Sequence, residues 1–186
     1  GMTLGGNLVV LPPGRDRYLT ELVEMLTQVF HSERVEQARS FVRDLLSLPD
    51  WYSWEDSRIG LLDGRIVTHY GVYRYRMRVG GAVYVSAGVG GVATHPDYRR
   101  RGLMHETACG SIDALSAAGY DLSLLFGIND YYERFGYVRA WSDRIYTIRT
   151  AEAPPTGPPP ATDVFFEQAL PEGFSEGYNR RARLLA

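Results

Sequence analysis

Apolar and polar residues recur along this chain with two different periods, and the changes of period divide it into elements. Asn7 to Leu11 is a short apolar run that reads as a first strand. From Asp16 to Phe30, the residues Leu19, Leu22, Val23, Leu26 and Phe30 take the spacing that lines one face of an α-helix. Glu33 to Leu46 repeats that spacing with Val35, Ala38, Val42 and Leu45 or Leu46. Trp51 to Glu55 is an aromatic, acidic loop. Ser57 to Leu62 and Arg65 to Val79 read as strands joined by Asp63-Gly64, a dipeptide suited to the left-handed backbone of a tight hairpin. Gly80-Gly81 makes the next turn, into a strand from Ala82 to Thr94. The order is helix, helix, then an antiparallel meander.

The helical period returns from Gly102 to Ala118, with Met104, Ala108, Ile112 and Leu115 as the apolar stripe and Gly119 as its stop. Asp121 to Phe126 is short and nearly all apolar. Such a run after a helix predicts a buried strand parallel to the one before it. Asn129 to Arg134 reads as a brief helix and Tyr137 to Arg149 as a final strand. Ala153 to Ala161 is proline-rich, which ends the compact region and leaves Asp163 to Ala186 as a tail. The expected division is a domain over 1–150, then a linker and tail over 151–186. The class is mixed α/β, which some schemes would call α+β.

Composition narrows the function. The net charge of −2 gives no bulk attraction for nucleic acid or an acidic membrane. One cysteine allows no internal disulfide and fits a reducing cytoplasm. No apolar run reaches membrane-spanning length and no signal peptide is visible; Gly1 ahead of Met2 reads as a cloning scar. All 20 basic residues are arginine. That excludes a Schiff-base lysine, a lysine general base and a phosphate-loop lysine.

The candidate chemistry centres on Tyr98-Arg99-Arg100-Arg101-Gly102-Leu103-Met104. It joins the strand ending at Thr94 to the helix opening at Gly102. The first amides of a helix lack internal partners, and the macrodipole adds partial positive charge there. Arginines beside those amides make a seat for a phosphate or diphosphate. No Ser, Thr, Asp or Asn stands where a cap is expected, so a bound anion is expected to cap this helix. Gly88, Gly90 and Gly91 interrupt the preceding strand, and glycine within a strand marks a bulge or a close approach. A bulge would splay this strand from the parallel one and open a gap at the carboxyl ends. A phosphorylated ligand could then run its arm along Val92, Ala93 and Thr94, pairing as an added strand would.

With Tyr132, Gly136 and Tyr137 these pieces complete a resemblance. The segment Arg99-Arg100-Arg101-Gly102-Leu103-Met104 resembles the Arg/Gln-x-x-Gly-x-Gly/Ala signature of the GNAT family of acetyl-CoA-dependent N-acetyltransferases, and Tyr132 to Tyr137 its Tyr-x-x-x-Gly-Phe/Tyr element. It covers roughly Asn7 to Arg149, and the element order agrees. Met104 departs from the pattern, standing where a second small residue is usual; the helix stripe turns its side chain into the sheet. Arg-Arg-Arg-Gly-Leu before a large apolar residue, then Arg-Phe-Gly-Tyr, is similar to the first domain of the enhanced-intracellular-survival type of aminoglycoside acetyltransferase. Those proteins carry further domains, and the resemblance implies that they use a distant C-terminal carboxylate. This chain stops before such domains, so the subgroup's substrate is not carried over.

The resemblance implies the GNAT fold, a mostly antiparallel sheet with helices on both faces and a splayed parallel pair. It also implies acetyl-CoA as co-substrate, no metal, and direct attack of a small-molecule or peptide amine on the acetyl thioester. The residues implied to hold acetyl-CoA are Val92, Ala93, Thr94, Arg99, Arg100, Arg101, Gly102, Leu103, Met104, His105 and Asn129. Amides near Val92 and Ala93 would hold the thioester oxygen as it gains charge, and Tyr132 matches the family's general acid. A base is not identified; a water chain, Glu133, His69 and the terminal carboxylate are candidates. Glu21, Glu24, Trp51, Trp54, Glu55 and Asp56 would suit a cationic amine, and equally well a helix surface and a loop. Arg74, Arg76 and Arg78 make one strand face basic, which reads first as a solvated face and second as an anionic-substrate or nucleic-acid patch. The competing function is a catalytically weak acyl-CoA-binding sensor of the same fold. The expected partners are an amine acceptor, with neither nucleic acid nor membrane; oligomeric state stays open, a homodimer included.

Overall fold

The computed structural model describes residues 7–31, 35–48, 51–128 and 130–140. These fall into two compact units divided after Phe126. In the first, β1 (Val9–Leu11), α1 (Arg15–Phe30), α2 (Val35–Ser47), β2 (Arg58–Leu62), β3 (Arg65–Val79), β4 (Ala82–Thr94), α3 (Leu103–Ala117) and β5 (Leu122–Leu125) follow in chain order. The five strands lie side by side in that same order. All neighbours are antiparallel except β4 and β5, which run parallel, with Ser86 opposite Leu122 and Val89 opposite Leu125. The parallel pair has the helical crossover expected of it, α3. The predicted elements of this first unit are present, with ends shifted by one or two residues as helix and strand termini commonly are.

Turn chemistry sets the hairpins. Asp63 and Gly64 both have left-handed φ, 49° and 79°, the requirement of a two-residue turn whose twist matches its strands. Gly80 at φ 58° serves the β3–β4 turn. β3 outruns β2, and the loop after α2 covers the difference: the Ser53 N–H donates to Val72 O at 2.8 Å, and the Val72 N–H donates to Ser57 Oγ at 2.9 Å.

The main core lies on one face of the sheet. Tyr18, Leu22, Val23, Met25 and Leu26 of α1, with Val42 and Leu46 of α2, bury against Ile59, Leu61, Ile66 and Ala93. Each such side chain removed from water contributes roughly 1.5–3 kcal/mol. Phe30, expected in this stripe, is 52% exposed at the helix end. The other face carries α3. Ile59 points into the α1 cluster, and its neighbour Gly60 faces Thr107 of α3, as the alternation of a strand demands. The buried side of α3 is Met104, Thr107, Ala108, Ser111 and Leu115. Thr107 and Ser111 take the place expected of Ile112, which is only half-buried. Their hydroxyls donate within the helix, Thr107 Oγ1 to Leu103 O at 3.0 Å and Ser111 Oγ to Thr107 O at 2.9 Å. That satisfies them without water.

In the second unit the expected helix over Asn129–Arg134 is instead a single 3-10 turn, Glu133–Phe135, ended by Gly136 at φ 89°. Left-handed backbone at Asp130 (φ 60°) keeps a helix from forming ahead of that turn. Tyr137 to Ala140 form no strand. The remainder of the expected final strand, the proline-rich linker and the tail lie outside the described residues. No described helix is long and apolar enough to cross a membrane.

Candidate active site

The carboxyl end of β4 carries the feature expected from its glycines. His69 pairs with Ala93 and Gly71 with Gly90. Between those pairs β3 supplies one residue, Tyr70, and β4 supplies two, Gly91 and Val92. This is a β-bulge, with Gly91 in the left-handed region at φ 60°. Gly88 and Gly90 act differently. A Cβ at Gly88 would collide with the Tyr75 ring, and one at Gly90 would lie 3.0 Å from the Tyr73 ring, so both make room for aromatic side chains lying across the strand. β5 ends at Leu125, opposite Val89. Past that point, among the described residues, no strand lies beside β4. Among the described residues, Val92 in the bulge and Ala93 and Thr94 just after it therefore have no strand beside them on that edge.

The turn into α3 follows directly. His95 caps a 3-10 turn, Pro96–Tyr98, its Nδ1 accepting from the Asp97 N–H at 3.3 Å. Arg99 donates from Nε to Thr94 O at 3.3 Å. Arg101 donates to Asp97 O at 2.9 Å and lays its guanidinium 5.0 Å from the Tyr98 ring centre. These two arginines brace the turn while keeping further N–H groups open to the outside. Arg100 has φ 60°, uncommon for a residue with a side chain, and its exposed guanidinium has no partner among the described residues.

Gly102 caps α3 at φ 77°, and no side chain closes the cap. The Leu103 and Met104 amides have no hydrogen-bond partner among the described residues, whereas the His105 N–H donates to Gly102 O at 2.9 Å. Of the run from Gly102 to His105, the His105 amide is thus the one already taken. Met104 is buried, so the position takes a large residue. Bare amides at the helix start, the positive end of a 15-residue, four-turn helix and three arginines lie within six residues of sequence. That is the donor set a diphosphate requires.

Tyr132 belongs to the second unit, in a cluster with Tyr131, Phe135 and Tyr137. Partial burial raises its hydroxyl pKa, and Tyr131 and Tyr137 add to the effect, so the group keeps its proton at neutral pH. Tyr131 is held by Arg134, whose guanidinium lies 4.5 Å from its ring centre. Asn129 lies outside the described residues, as does the terminal carboxylate proposed as a base.

Several candidates have other work. His69 is wholly buried; its Nδ1 is 2.7 Å from Gly91 O and its Nε2 is 2.8 Å from Tyr52 Oη. With both ring nitrogens bonded it has no open lone pair, and it cannot serve as the base for an incoming amine. Periodicity gave no signal for this residue. Glu21 accepts from the Ile66 N–H at 2.7 Å, and Glu24 pairs with Arg39 at 2.6 Å. Asp56 accepts from Ser53 at 2.7 Å and from Tyr120 at 2.5 Å. Glu55 O accepts from Arg58 at 2.7 Å. Trp51 packs edge-on against Tyr73 and Trp54 against Tyr52. These contacts give Glu21, Glu24, Asp56, Trp51 and Trp54 partners within the fold, while for Glu55 the bond is to its backbone carbonyl. Arg74, Arg76 and Arg78 are exposed, with Arg74 over the Tyr120 ring at 5.3 Å. Among the described residues no three His, Cys, Asp or Glu side chains group to hold a metal ion.

The chain matches the family profile described as an acetyltransferase (GNAT) domain over residues 13–140. No curated protein sequence matches it. Among solved structures it is similar to a conserved Enterococcus faecalis protein, a probable N-acyltransferase, at 21% identity and a TM-score of 0.60. That alignment covers 70% of this chain and 32% of the other, so this chain spans about a third of that protein. It is similar to an aminoglycoside N-acetyltransferase in complex with CoA at 13% identity, covering 80% of this chain and 99% of the other, with a TM-score of 0.57. A Brucella melitensis acetyltransferase in complex with acetyl-CoA matches at 20% identity over 72% of this chain and 84% of the other, with a TM-score of 0.53. At these identities the likeness is one of fold.

Proposed function

The chain belongs to the acetyltransferase (GNAT) domain family, and from that premise we propose that it transfers an acetyl group from acetyl-CoA to a primary amine of a small molecule or peptide. Family membership makes it an acyltransferase domain; the amine, the residues below and a cytoplasmic setting are our reading. One observation carries it. The bulged, open end of β4 leads straight into an uncapped helix start flanked by Arg99, Arg100 and Arg101. The CoA and acetyl-CoA held by two structures of this fold support the co-substrate. The Arg-Arg-Arg-Gly-Leu-Met and Arg-Phe-Gly-Tyr segments further suggest kinship with the enhanced-intracellular-survival type, from which we take no acceptor.

Acetyl-CoA supplies the acetyl thioester. The Leu103 and Met104 amides and the three guanidiniums hold its diphosphate, worth most to a multiply charged anion because both dipole and charges act together. The backbone of Val92, Ala93 and Thr94 pairs with the arm as an added strand would. An amide near Val92 and Ala93 that faces the open edge also donates to the thioester oxygen as it gains charge during attack, successive amides of a strand pointing to opposite edges. Only the neutral amine attacks, and an alkyl amine titrates near ~10 in water, so a partly desolvated acceptor site aids the reaction. Tyr132 gives the departing thiolate its proton. A thiol titrates near ~8.5, so thiolate already leaves tolerably and the loss from Tyr132→Phe is on the order of 10- to 1000-fold. Thiol release from acetyl-CoA over a panel of amines tests the activity. Turnover with one amine class, reduced in Tyr132→Phe, supports the reading. Tight acetyl-CoA binding with no release for any amine would make the chain a binding module, and wild-type turnover in Tyr132→Phe would remove that residue as the acid.

A further inference from the structure

His69 is a polar side chain in the main core, where an apolar residue would cost less, and its ring is seated with unusual care. A carbonyl oxygen can only accept, so the 2.7 Å contact with Gly91 O places the proton on Nδ1. Nε2 is then a bare lone pair and receives the Tyr52 O–H at 2.8 Å. Tyr52 is itself held, by Trp54 at 4.8 Å between ring centres and by a backbone bridge to Tyr73. The slot around the imidazole is lined by glycines from both strands. A Cβ at Gly71 would lie 2.8 Å from His69 Cε1, and one at Gly91 would lie 3.3 Å from the same atom.

The bond falls at the bulge. The extra residue of a bulge loses its ladder partner, and a half-buried carbonyl left so is best satisfied by a donor from elsewhere in the fold. His69 provides that donor for Gly91. Without it, β4 can relieve the orphaned carbonyl by slipping one residue against β3. Because strands alternate with a period of two, such a slip turns every group of Val92, Ala93 and Thr94 to the opposite side.

We propose that His69 is a positioning residue for acetyl transfer: through its bond to Gly91 it fixes the bulge that presents the Val92–Thr94 backbone to the thioester arm. The inference rests on the co-substrate reading above. Burial lowers the imidazole pKa to about 4, so the neutral tautomer assigned here persists at neutral pH.

The test is calorimetry on the full chain with two probes, CoA and 3′-phospho-ADP, which keeps the diphosphate but lacks the arm. In wild type CoA binds more tightly than 3′-phospho-ADP. His69→Gln, whose amide reaches Tyr52 but not Gly91, should lose that advantage on the order of 10-fold and lower kcat/KM to match, with 3′-phospho-ADP binding unchanged. His69→Asn, whose amide nitrogen takes the place of Nδ1, should restore it. The inference is overturned if His69→Gln keeps the preference for CoA, or if Gln and Asn lose it equally. If wild type binds neither probe, the co-substrate reading falls and this inference with it; if 3′-phospho-ADP binds and the arm adds nothing, only the role of β4 falls. Should His69→Gln not fold, His69→Ala, which removes the donor to Gly91 outright, decides by native-state hydrogen exchange. Amides of Val92–Thr94 must then exchange faster relative to those of Ile59–Leu61, and an unchanged ratio overturns the proposal.

Discussion

Thr68 and Thr107 meet hydroxyl to hydroxyl at 2.7 Å, both wholly buried, across the interface between sheet and α3. Since Thr107 gives its proton to Leu103 O, Thr68 must donate to Thr107. This chain of bonds ties β3 to the first turn of the helix whose open end we assign to the diphosphate. We expect Thr107→Val to cost about 1–3 kcal/mol, because it leaves the Thr68 hydroxyl buried without an acceptor. Thr68→Val added to it should recover most of that loss, since an apolar pair of the same shape leaves nothing unsatisfied. A denaturant double-mutant cycle measures the coupling, and additive losses would show that the two hydroxyls act independently.

Gly60 makes that close approach feasible. A Cβ there would collide with Thr68 Oγ1 and lie 2.9 Å from Thr107 Oγ1. Gly60→Ala is therefore expected to destabilise by roughly 1–3 kcal/mol through overpacking. Gly81→Ala, with nothing within 4 Å of the added atom, should stay within about 0.5 kcal/mol of wild type. Equal midpoints for the two variants in chemical denaturation would contradict the packing described here.

These two sites mark where sequence reading runs out. The hairpins were legible because Asp63, Gly64 and Gly80 carry their turn geometry locally, and the parallel pair because an apolar run followed a helix. The bulge was legible in outline from Gly91. Ser111 and Thr107 were not, because hydroxyls satisfied within the helix and across to a strand 39 residues away leave no apolar period. His69 was missed as a structural group for the same reason: its partners, Tyr52 and Gly91, lie 17 and 22 residues off. The brief helix expected over Asn129–Arg134 fails on backbone geometry, with Asp130 left-handed and Gly136 ending the turn.

Arg100 separates binding from folding. Its left-handed φ favours glycine by about 1–2 kcal/mol. The looser unfolded chain of a glycine variant offsets much of that. Arg100→Gly should thus leave stability within about 1 kcal/mol of wild type, while the stabilisation by CoA in a thermal-shift series shrinks. Loss of one charge-assisted contact corresponds to about 10- to 100-fold in affinity. An undiminished CoA-dependent shift would remove Arg100 from the anion site.

The buried imidazole also gives the fold a pH dependence of known sign. Folding lowers the His69 pKa from 6.5 to about 4, chiefly through burial. Between those values the unfolded chain takes up a proton that the native chain refuses, so stability falls as pH drops from 6.5 towards 4. The loss is on the order of 3 kcal/mol. Urea titrations across that range should show the decline in wild type and a shallower one in His69→Asn. The same slope in both would mean that other groups carry the acid sensitivity.

The claim on which the rest depends is that the uncapped start of α3 binds the diphosphate of coenzyme A. Calorimetric titration of the wild-type chain with acetyl-CoA measures it most directly. We expect one saturable site per chain, weakened by Arg100→Gly and by rising salt as charged contacts are screened. No saturable heat up to about millimolar ligand, or binding indifferent to both Arg100 and salt, would contradict it.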